Sequence, residues 1–382
     1  MSLPAPSPDA AEHSARLAAH IRAGIAAAGG WLPFDRYMDL ALYAPGLGYY
    51  MAGARKLGPD GDFTTAPELT PLFGQAVAQQ IRQLLDLGLS EVLEVGAGSG
   101  ALAASILAEL ERLGALPERY LILELSADLR ARSRDAIEAR VPHLMERVAW
   151  LNALPPTFSG VVVGNEVLDA MPVHVVRTTA AGEIEEAGVG TMADGFGWAW
   201  RPAHGAVLDA AVRLSLPPGY TTEIGLAAAG FVASVAAALE HGAALFVDYG
   251  FPGPEYRHPQ RHMGTLMCHY RHRAHDDPFF LPGLQDITAH VDFSAAAAAA
   301  RAAGCAPLGF ATQAQFLVNC GLTDLMLRVP PEDALRYLPQ AAAANRLVSP
   351  AEMGELFKAF AFGRGVPDAL LGFRSGDRRA SL

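Results

Sequence analysis

Short apolar runs alternate with helix-patterned segments through the middle of this chain. Five of the runs have the length of buried strands, at residues 91–95, 120–124, 147–151, 160–164 and 243–247. Segments with apolar residues three or four positions apart follow most of them, as on one face of a helix. This repeated order predicts a parallel, doubly wound α/β sheet. Runs at 307–311 and 356–362 predict two further strands, and the last is expected to close the sheet.

The segments outside this core have other patterns. Residues 173–202 alternate in polarity between turn residues, which predicts an inserted β-meander. Residues 251–292 are rich in histidine, arginine and proline, and we interpret them as a solvated or substrate-facing loop. The resulting division is an N-terminal helical segment with a ligand-covering loop (1–85), the first half of the core (86–172), the β-rich insertion (173–219), the continued core (220–250), an inserted substrate-side segment (251–300) and a C-terminal part that completes the sheet (301–382).

The composition is that of a folded protein without a membrane span. Hydrophobic residues make up 51% and charged residues 18% of the 382 residues, and the net charge of −11 argues against nucleic-acid binding. No apolar run has the roughly 18 residues that a spanning helix needs. The N-terminus lacks the pattern of a secretory leader and is too acidic for a transit peptide. We therefore expect a cytoplasmic protein of a bacterium.

The metal-binding residue types are not arranged as a metal site. Cys268, Cys305 and Cys320 lack ligand spacing and fit free thiols in a reducing compartment. Histidines at 258 and 262, and at 269, 272 and 275, have suggestive spacings, but five prolines between residues 252 and 282 argue against a ligand-bearing helix. The sequence therefore predicts no metal site.

The stretch from Glu91 to Gly100 carries the first candidate chemistry. Its apolar run is followed by Gly96, Ala97, Gly98, Ser99 and Gly100, and a helical pattern starts at once. A strand, a glycine turn and a helix let backbone N–H groups and the positive helix end approach a nucleotide-like ligand. The alternative is a tight turn that merely needs small residues.

The spacing of the glycines narrows the choice of ligand. G-x-G-x-G differs from the G-x-G-x-x-G of diphosphate-binding dehydrogenases, and Glu94 stands two positions before the first glycine. These features predict a ligand with an amino-acid end and a nucleoside end but no diphosphate between them. S-adenosylmethionine fits that description.

Polar residues follow the other predicted strands at their carboxyl ends, where ligands of such sheets bind. Glu124 ends the second strand, where an acid can accept hydrogen bonds from both ribose hydroxyls. The alternative role for Glu124 is that of an ordinary helix cap. Asn152 follows the third strand, where its amide could meet the edge of adenine. The stretch 165–169 and Asp248 follow the fourth and fifth strands. The convergence of these residues favours one ligand site.

Residues 58–68 form a loop of short hydrogen-bonding side chains, with glycine and proline throughout. Loops of this kind either cap helices or hold ligands. This loop contains Gly61, Asp62, Phe63 and Thr64.

Five blocks of the sequence resemble the MidA family of class I S-adenosylmethionine-dependent methyltransferases, whose mitochondrial members are complex I assembly methyltransferases. The blocks are residues 42–50, 61–68, 94–100, 164–173, and 248–250 continuing to 285–293. The Gly-Asp-Phe-x-Thr and Asn-Glu-x-x-Asp-Ala-x-Pro blocks are specific, whereas the glycine motif is not.

The resemblance implies a Rossmann-like class I fold with a mainly parallel seven-strand sheet. It implies cofactor contacts from residues 61–65, from the glycine turn at 96–100 and from Glu124. It also implies protein arginine N-methylation, in mitochondria on a complex I subunit. The expected partner is therefore a protein substrate, such as a homologue of that subunit, and a homodimer is left open.

Methyl transfer to arginine assigns roles to the residues after the fourth strand. A guanidinium has a pKa above about 12 and no spare lone pair, and carboxylates that pair with two of its nitrogens orient the third. We predict Glu166 as the guanidinium clamp, Asn165 as an orienter of cofactor or acceptor, and Asp169 as a second carboxylate. A helix-capping role for Asp169 is an equal alternative.

Three other functions compete with this interpretation. The first is a methyltransferase for a small molecule or for another type of residue. The second is an assembly factor that holds the cofactor without turnover. The third is a nicotinamide-dependent oxidoreductase, which the glycine spacing disfavours.

Overall fold

A computed structural model describes residues 3–52 and 64–382 in two units. The core unit comprises Thr64–Val167, Phe231–Pro252 and Phe293–Leu382. The second unit comprises Met1–Phe63, Leu168–Gly230 and Gly253–Asp292. The N-terminal helices and the inserted β-meander thus belong to one unit, although they are far apart in the sequence.

Seven strands form the continuous path of the sheet in the core unit. They are β1 (Glu91–Val95), β2 (Arg119–Leu123), β3 (Val148–Leu151), β4 (Phe158–Asn165), β5 (Leu239–Phe251), β6 (Ala306–Thr312) and β7 (Phe357–Arg364). Their order across the sheet is β6-β7-β5-β4-β1-β2-β3. The first five are parallel neighbours, and β7 is antiparallel to both β5 and β6. The predicted Rossmann-like, mainly parallel seven-strand sheet is confirmed.

The position of the last strand differs from the prediction. It was expected to close the sheet, but β7 lies inside it between β5 and β6. Phe360 and Phe362 of β7 are fully buried, because an inner strand needs apolar residues where an edge strand does not. Local pattern shows that such a strand is buried but does not show which strands lie beside it.

Helices join the strands of the core unit. They are Ala66–Leu69, Pro71–Leu85, Ala101–Arg112, Ala127–Arg140, Leu226–Ala238, Phe293–Ala302, Gln313–Asn319, Leu322–Met326 and Ala334–Val348, with 3-10 turns at Pro142–Arg147, Leu371–Phe373 and Arg379–Ser381. Thr70 caps Pro71–Leu85 through Leu72 N–H, and Ser126 caps Ala127–Arg140 through Leu129 N–H. The Ser126 cap starts its helix directly after the end of β2.

The second unit is built on antiparallel strands. Leu32–Pro33, His174–Thr178, Ile184–Met192, Gly195–Pro202 and Thr221–Ile224 form a five-stranded sheet, which includes the predicted meander. Its helices are Pro8–Ala27, Phe34–Tyr43, Gly205–Leu214 and Gly253–Tyr256, with 3-10 turns at Tyr49–Met51 and Pro259–Arg261. Leu17, Ile21 and Ile25 of the first helix are buried in one apolar cluster with Tyr37 and Val189.

The segment that we interpreted as a loop contains a small sheet. Met267–Tyr270 lies between Arg273–His275 and Asp286–Thr288, and Val291–Asp292 is a further short strand. The two-residue turn of its hairpin is Arg271 and His272, with φ of 48° and 60°. Asn-Gly is the usual signal for such a turn, so this hairpin had no recognisable signature.

The described residues include no helix that is both long and apolar enough to cross a membrane. The three cysteines are free and buried.

Candidate active site

The glycine turn leaves β1 and enters a helix within five residues. Gly96, Gly98 and Gly100 all have positive φ, at 67°, 55° and 85°, which glycine adopts without steric cost. Gly100 is the N-cap of Ala101–Arg112. A Cβ on Gly100 would lie 2.6 Å from Cα of Ser133, so the turn packs directly on the next helix. Glycine is therefore needed in this turn for two reasons: the backbone has positive φ, and the next helix leaves no room for a side chain at Gly100.

Glu124 lies beside this turn. It directly follows β2, is 7% exposed, and accepts a hydrogen bond from Gly98 N–H at 3.2 Å and one from Ser126 N–H at 3.0 Å. Burial raises the pKa of the Glu124 carboxyl above its usual range, while these N–H donors oppose the rise. The structure thus brings together Gly98 and Glu124.

Glu94 is buried one strand away. It is 1% exposed, and one oxygen accepts the Tyr120 hydroxyl at 2.5 Å. Burial raises the pKa of Glu94 to about 7; the Tyr120 hydrogen bond lowers it and the charge of Glu124 raises it further. Glu94 thus joins β1 to β2 beneath the glycine turn.

Arg130 links the ends of β2 and β3. Its guanidinium donates to the carbonyls of Glu124 and Leu151, each at 2.5 Å, and to Oδ1 of Asn152 at 2.8 Å. Asn152 is exposed, and its Nδ2 is the group left to donate to a ligand. Leu125 is 67% exposed and adds apolar surface next to Glu124. Neither Arg130 nor Leu125 lies in a motif that the sequence marks.

The residues after β4 have an unusual backbone. Glu166 has φ of 53°, which is uncommon for a residue other than glycine. Its N–H donates to Val247 O at 2.9 Å, and the next N–H, of Val167, donates to Oδ1 of the fully buried Asp248 at 3.0 Å. Bonds to β5 therefore hold Glu166 in this conformation, and such strain is concentrated at functional sites.

Asn165 supports the Glu166 side chain from β4. Its Nδ2 donates to Oε1 of Glu166 at 3.0 Å. Its Oδ1 is buried and has no hydrogen-bond partner among the residues that the structure describes. A cavity of about 10 Å³, lined by Phe73, Leu102 and Leu245 among others, lies at this side chain and is close to the smallest that holds one water. An acceptor without a donor at a strand end is suited to a ligand.

The short helix Ala66–Leu69 contacts the glycine turn. The Ser99 hydroxyl donates to Glu68, which lies in Ala66–Leu69. Thr64 is partly buried two residues before that helix. Gly61, Asp62 and Phe63 lie outside the described residues.

Asp169 belongs to the second unit. It is 4% exposed, and its carbonyl accepts from Ala289 N–H at 3.1 Å. The pairing of Asp169 with Glu166 thus stays a prediction.

Comparison with known proteins decides the family. A family model described as "Putative S-adenosyl-L-methionine-dependent methyltransferase" matches residues 72–311, more than half of the chain. The chain belongs to this family. Its fold is that of the class I methyltransferases, and S-adenosyl-L-methionine is its cofactor.

A solved structure and curated relatives agree with the family. The crystal structure of a "likely methyl transferase" from Burkholderia thailandensis, bound to S-adenosyl-homocysteine, is 53% identical; all of both chains is covered, with a TM-score of 0.96. The chain is 27% identical to the protein arginine methyltransferase NDUFAF7, mitochondrial, of Danio rerio, covering 89% of this chain and 85% of the relative. It is 28% identical to the Drosophila melanogaster homologue, covering 92% and 85%.

The residues of the core unit fit the cofactor. Glu124 offers a buried carboxylate at the end of β2. At three positions of the turn beside it, glycine leaves the backbone open to a ligand. Asn165 offers an acceptor that lacks a donor. These are the groups that a ligand with ribose hydroxyls and an ammonium group needs.

Gly100→Ala should disrupt the turn, and Gly182→Ala is the matched control. Both glycines have φ of +85°, but a Cβ on Gly182 meets nothing within 4 Å. In each variant, the left-handed backbone conformation should lower the free energy of unfolding by about 1–2 kcal/mol. In Gly100→Ala, the clash with Ser133 should lower it by about 1–3 kcal/mol more. Thermal unfolding and calorimetric titration with S-adenosylhomocysteine measure both effects. Equal losses in the two variants would contradict the close packing.

Glu94 should make stability depend on pH. Its pKa of about 7 in the folded chain exceeds the ordinary 4.5, so its contribution is complete at low pH and is lost as pH rises between these values. Glu94→Gln keeps an acceptor for Tyr120 and has no such loss. Relative to wild type, its free energy of unfolding should rise by up to about 3 kcal/mol from pH 5 to pH 8. Denaturant titrations at both pH values measure this difference; a difference that is constant or falls would disprove the assignment.

Proposed function

We propose that this chain transfers the methyl group of S-adenosylmethionine to an arginine side chain of a protein. Relatives named as protein arginine methyltransferases support the acceptor, since they match about nine-tenths of the chain at 27–28% identity. The observation that carries the proposal is the carboxylate of Glu166, which is held at the end of β4 in a left-handed backbone conformation.

The cofactor contacts come from the strand ends of the core unit. The Glu124 carboxylate accepts hydrogen bonds from the ribose hydroxyls, and Asn152 donates a hydrogen bond to the edge of adenine. The backbone of Gly96, Ala97, Gly98 and Gly100 surrounds the amino-acid part, with Glu94 supporting the turn from below. Gly61, Asp62, Phe63 and Thr64 are proposed as further cofactor contacts.

The remaining residues handle the acceptor. When bound, the cofactor supplies an electrophilic methyl group on a sulfonium. Glu166 would pair with two guanidinium nitrogens, so that positive charge stays near the carboxylate and the third nitrogen is left to accept the methyl group and to release one proton to water. Asn165 fixes the Glu166 carboxylate through its amide. Asp169 serves either as the second carboxylate for the guanidinium or in a structural role such as a helix cap.

The acceptor protein to test first is a homologue of a respiratory complex I subunit. Two other outcomes remain measurable in the same assay. Label on a small molecule or on another residue type would make the chain a different methyltransferase. Cofactor binding without any labelled product would make it an assembly factor.

Glu124→Gln should weaken cofactor binding. Loss of one charged acceptor from the ribose contact should lower the affinity for S-adenosylhomocysteine by about 10- to 100-fold. Glu118→Gln is the control, because Glu118 is an exposed acid at the opposite end of the same strand. Isothermal titration calorimetry measures both variants, and circular dichroism verifies their folding. Wild-type affinity in Glu124→Gln would remove the ribose assignment.

Glu166→Gln should abolish methyl transfer and leave cofactor binding nearly intact. Glutamine has the same shape but no charge to pair with a guanidinium, so the rate should fall by about 100-fold or more. Transfer of tritiated methyl to a co-expressed candidate partner, with mass-spectrometric mapping of the labelled residue, measures the rate and identifies the acceptor.

Two further variants make this result interpretable. Glu166→Gly relieves the left-handed strain, so it should fold at least as stably as wild type and still be inactive. Glu240→Gln, an exposed acid at the amino end of β5, should keep full activity. Retained activity in both Glu166 variants, or label on a residue other than arginine, would refute the proposal.

A further inference from the structure

Three side chains of metal-ligating type converge in the second unit. Asp35 comes from the first turn of Phe34–Tyr43, His174 from the strand His174–Thr178 and Glu186 from its neighbour Ile184–Met192. Nδ1 of His174 lies 2.8 Å from Oε1 of Glu186 and 3.6 Å from Oδ1 of Asp35. One ligand atom from each residue lies within 4.8 Å of the other two, so one ion can reach all three.

The cluster has an excess of negative charge. Two carboxylates face one imidazole, so the three groups together carry a negative charge whether His174 is neutral or protonated. The side chains are only 22%, 15% and 11% exposed in the order Asp35, His174 and Glu186, so water screens these charges incompletely. The nearby Arg36 has a side chain that is 65% exposed and pairs with Asp39 at 3.8 Å.

Asp35 shows the consequence most clearly. Its Oδ1 is buried and, among the residues of the described ranges, has no hydrogen-bond donor. A buried carboxylate oxygen without a donor is costly unless a cation contacts it.

We infer that Asp35, His174 and Glu186 form a binding site for a divalent transition-metal ion of the zinc class. An imidazole nitrogen with two carboxylate oxygens is a ligand set for Zn²⁺, whereas Mg²⁺ and Ca²⁺ prefer oxygen alone. The ion takes the position of the proton shared by His174 and Glu186 and also contacts Oδ1 of Asp35. Bound there, it ties the helix Phe34–Tyr43 to two strands of the antiparallel sheet.

Titration of the full chain with Zn²⁺ tests this site. After treatment with a chelator, the wild-type protein should bind one Zn²⁺ per chain by calorimetry and should unfold at a higher temperature with the metal than without it. Co²⁺ in place of Zn²⁺ should give visible absorption bands that report a mixed nitrogen and oxygen ligand set.

Matched variants separate this site from other metal-binding groups. Asp35→Asn and Glu186→Gln keep the shape of each side chain and should each lower Zn²⁺ affinity by at least about tenfold. Glu185→Gln should bind as wild type, because Glu185 projects from the opposite face of the same strand and pairs with Arg177 at 2.7 Å. If one acid variant fails to fold, the other decides the question.

Two outcomes would overturn the inference. The first is no saturable Zn²⁺ binding by the wild-type chain, which would leave the cluster as three side chains that contact one another without a metal ion. The second is unchanged affinity in Asp35→Asn and Glu186→Gln, which would place the ion elsewhere.

Discussion

The hydrogen bond from Gly98 N–H to the Glu124 carboxylate is the interaction on which the candidate site depends. β1 and β2 are parallel and in register from Glu91 opposite Arg119 to Val95 opposite Leu123, so the chain leaves both strands at the same edge of the sheet. The segment after β1 must turn at once into a helix, and the segment after β2 must place an acid against that turn. Glycine is needed because the backbone has positive φ at three positions and because Ser133 packs against Gly100. For these reasons the glycine turn and Glu124 lie in contact, although they are 24 or more residues apart in the sequence.

The same rule explains how much of the site could be predicted from the sequence. Parallel strands bring their carboxyl ends together, so residues that follow separate apolar runs can be expected to meet. That reasoning led to Glu124 and Gly98, and the structure shows them in contact at 3.2 Å. It also led to Asn165 and Glu166, whose side chains are 3.0 Å apart. Gly98 and Glu124 meet because they follow two adjacent parallel strands, whereas Asn165 and Glu166 are neighbours in the chain itself.

Other features depend on contacts that no local pattern records. The Arg271–His272 turn carries none of the usual turn residues, and β7 looks like any buried run although it lies inside the sheet. Arg130 lies in no recognised motif, yet its guanidinium binds the ends of two strands. Asp35, His174 and Glu186 have no motif spacing, because a helix and two antiparallel strands bring them together. Positions of this kind become visible only when side chains are placed in three dimensions.

The three acids of the candidate site have different surroundings, which is the basis of the separate roles proposed for them. Glu94 is sealed beneath the turn with Tyr120, Glu124 faces the strand ends with backbone donors, and Glu166 is held by β5 in a strained conformation. The central claim is that the nucleoside part of S-adenosylmethionine is bound where β1 and β2 end. A crystal structure of this chain with S-adenosylhomocysteine tests it most directly. The account predicts both ribose hydroxyls within hydrogen-bonding distance of the Glu124 carboxylate and the amino-acid part against the glycine turn. A ligand bound elsewhere, or one whose ribose does not contact Glu124, would contradict it.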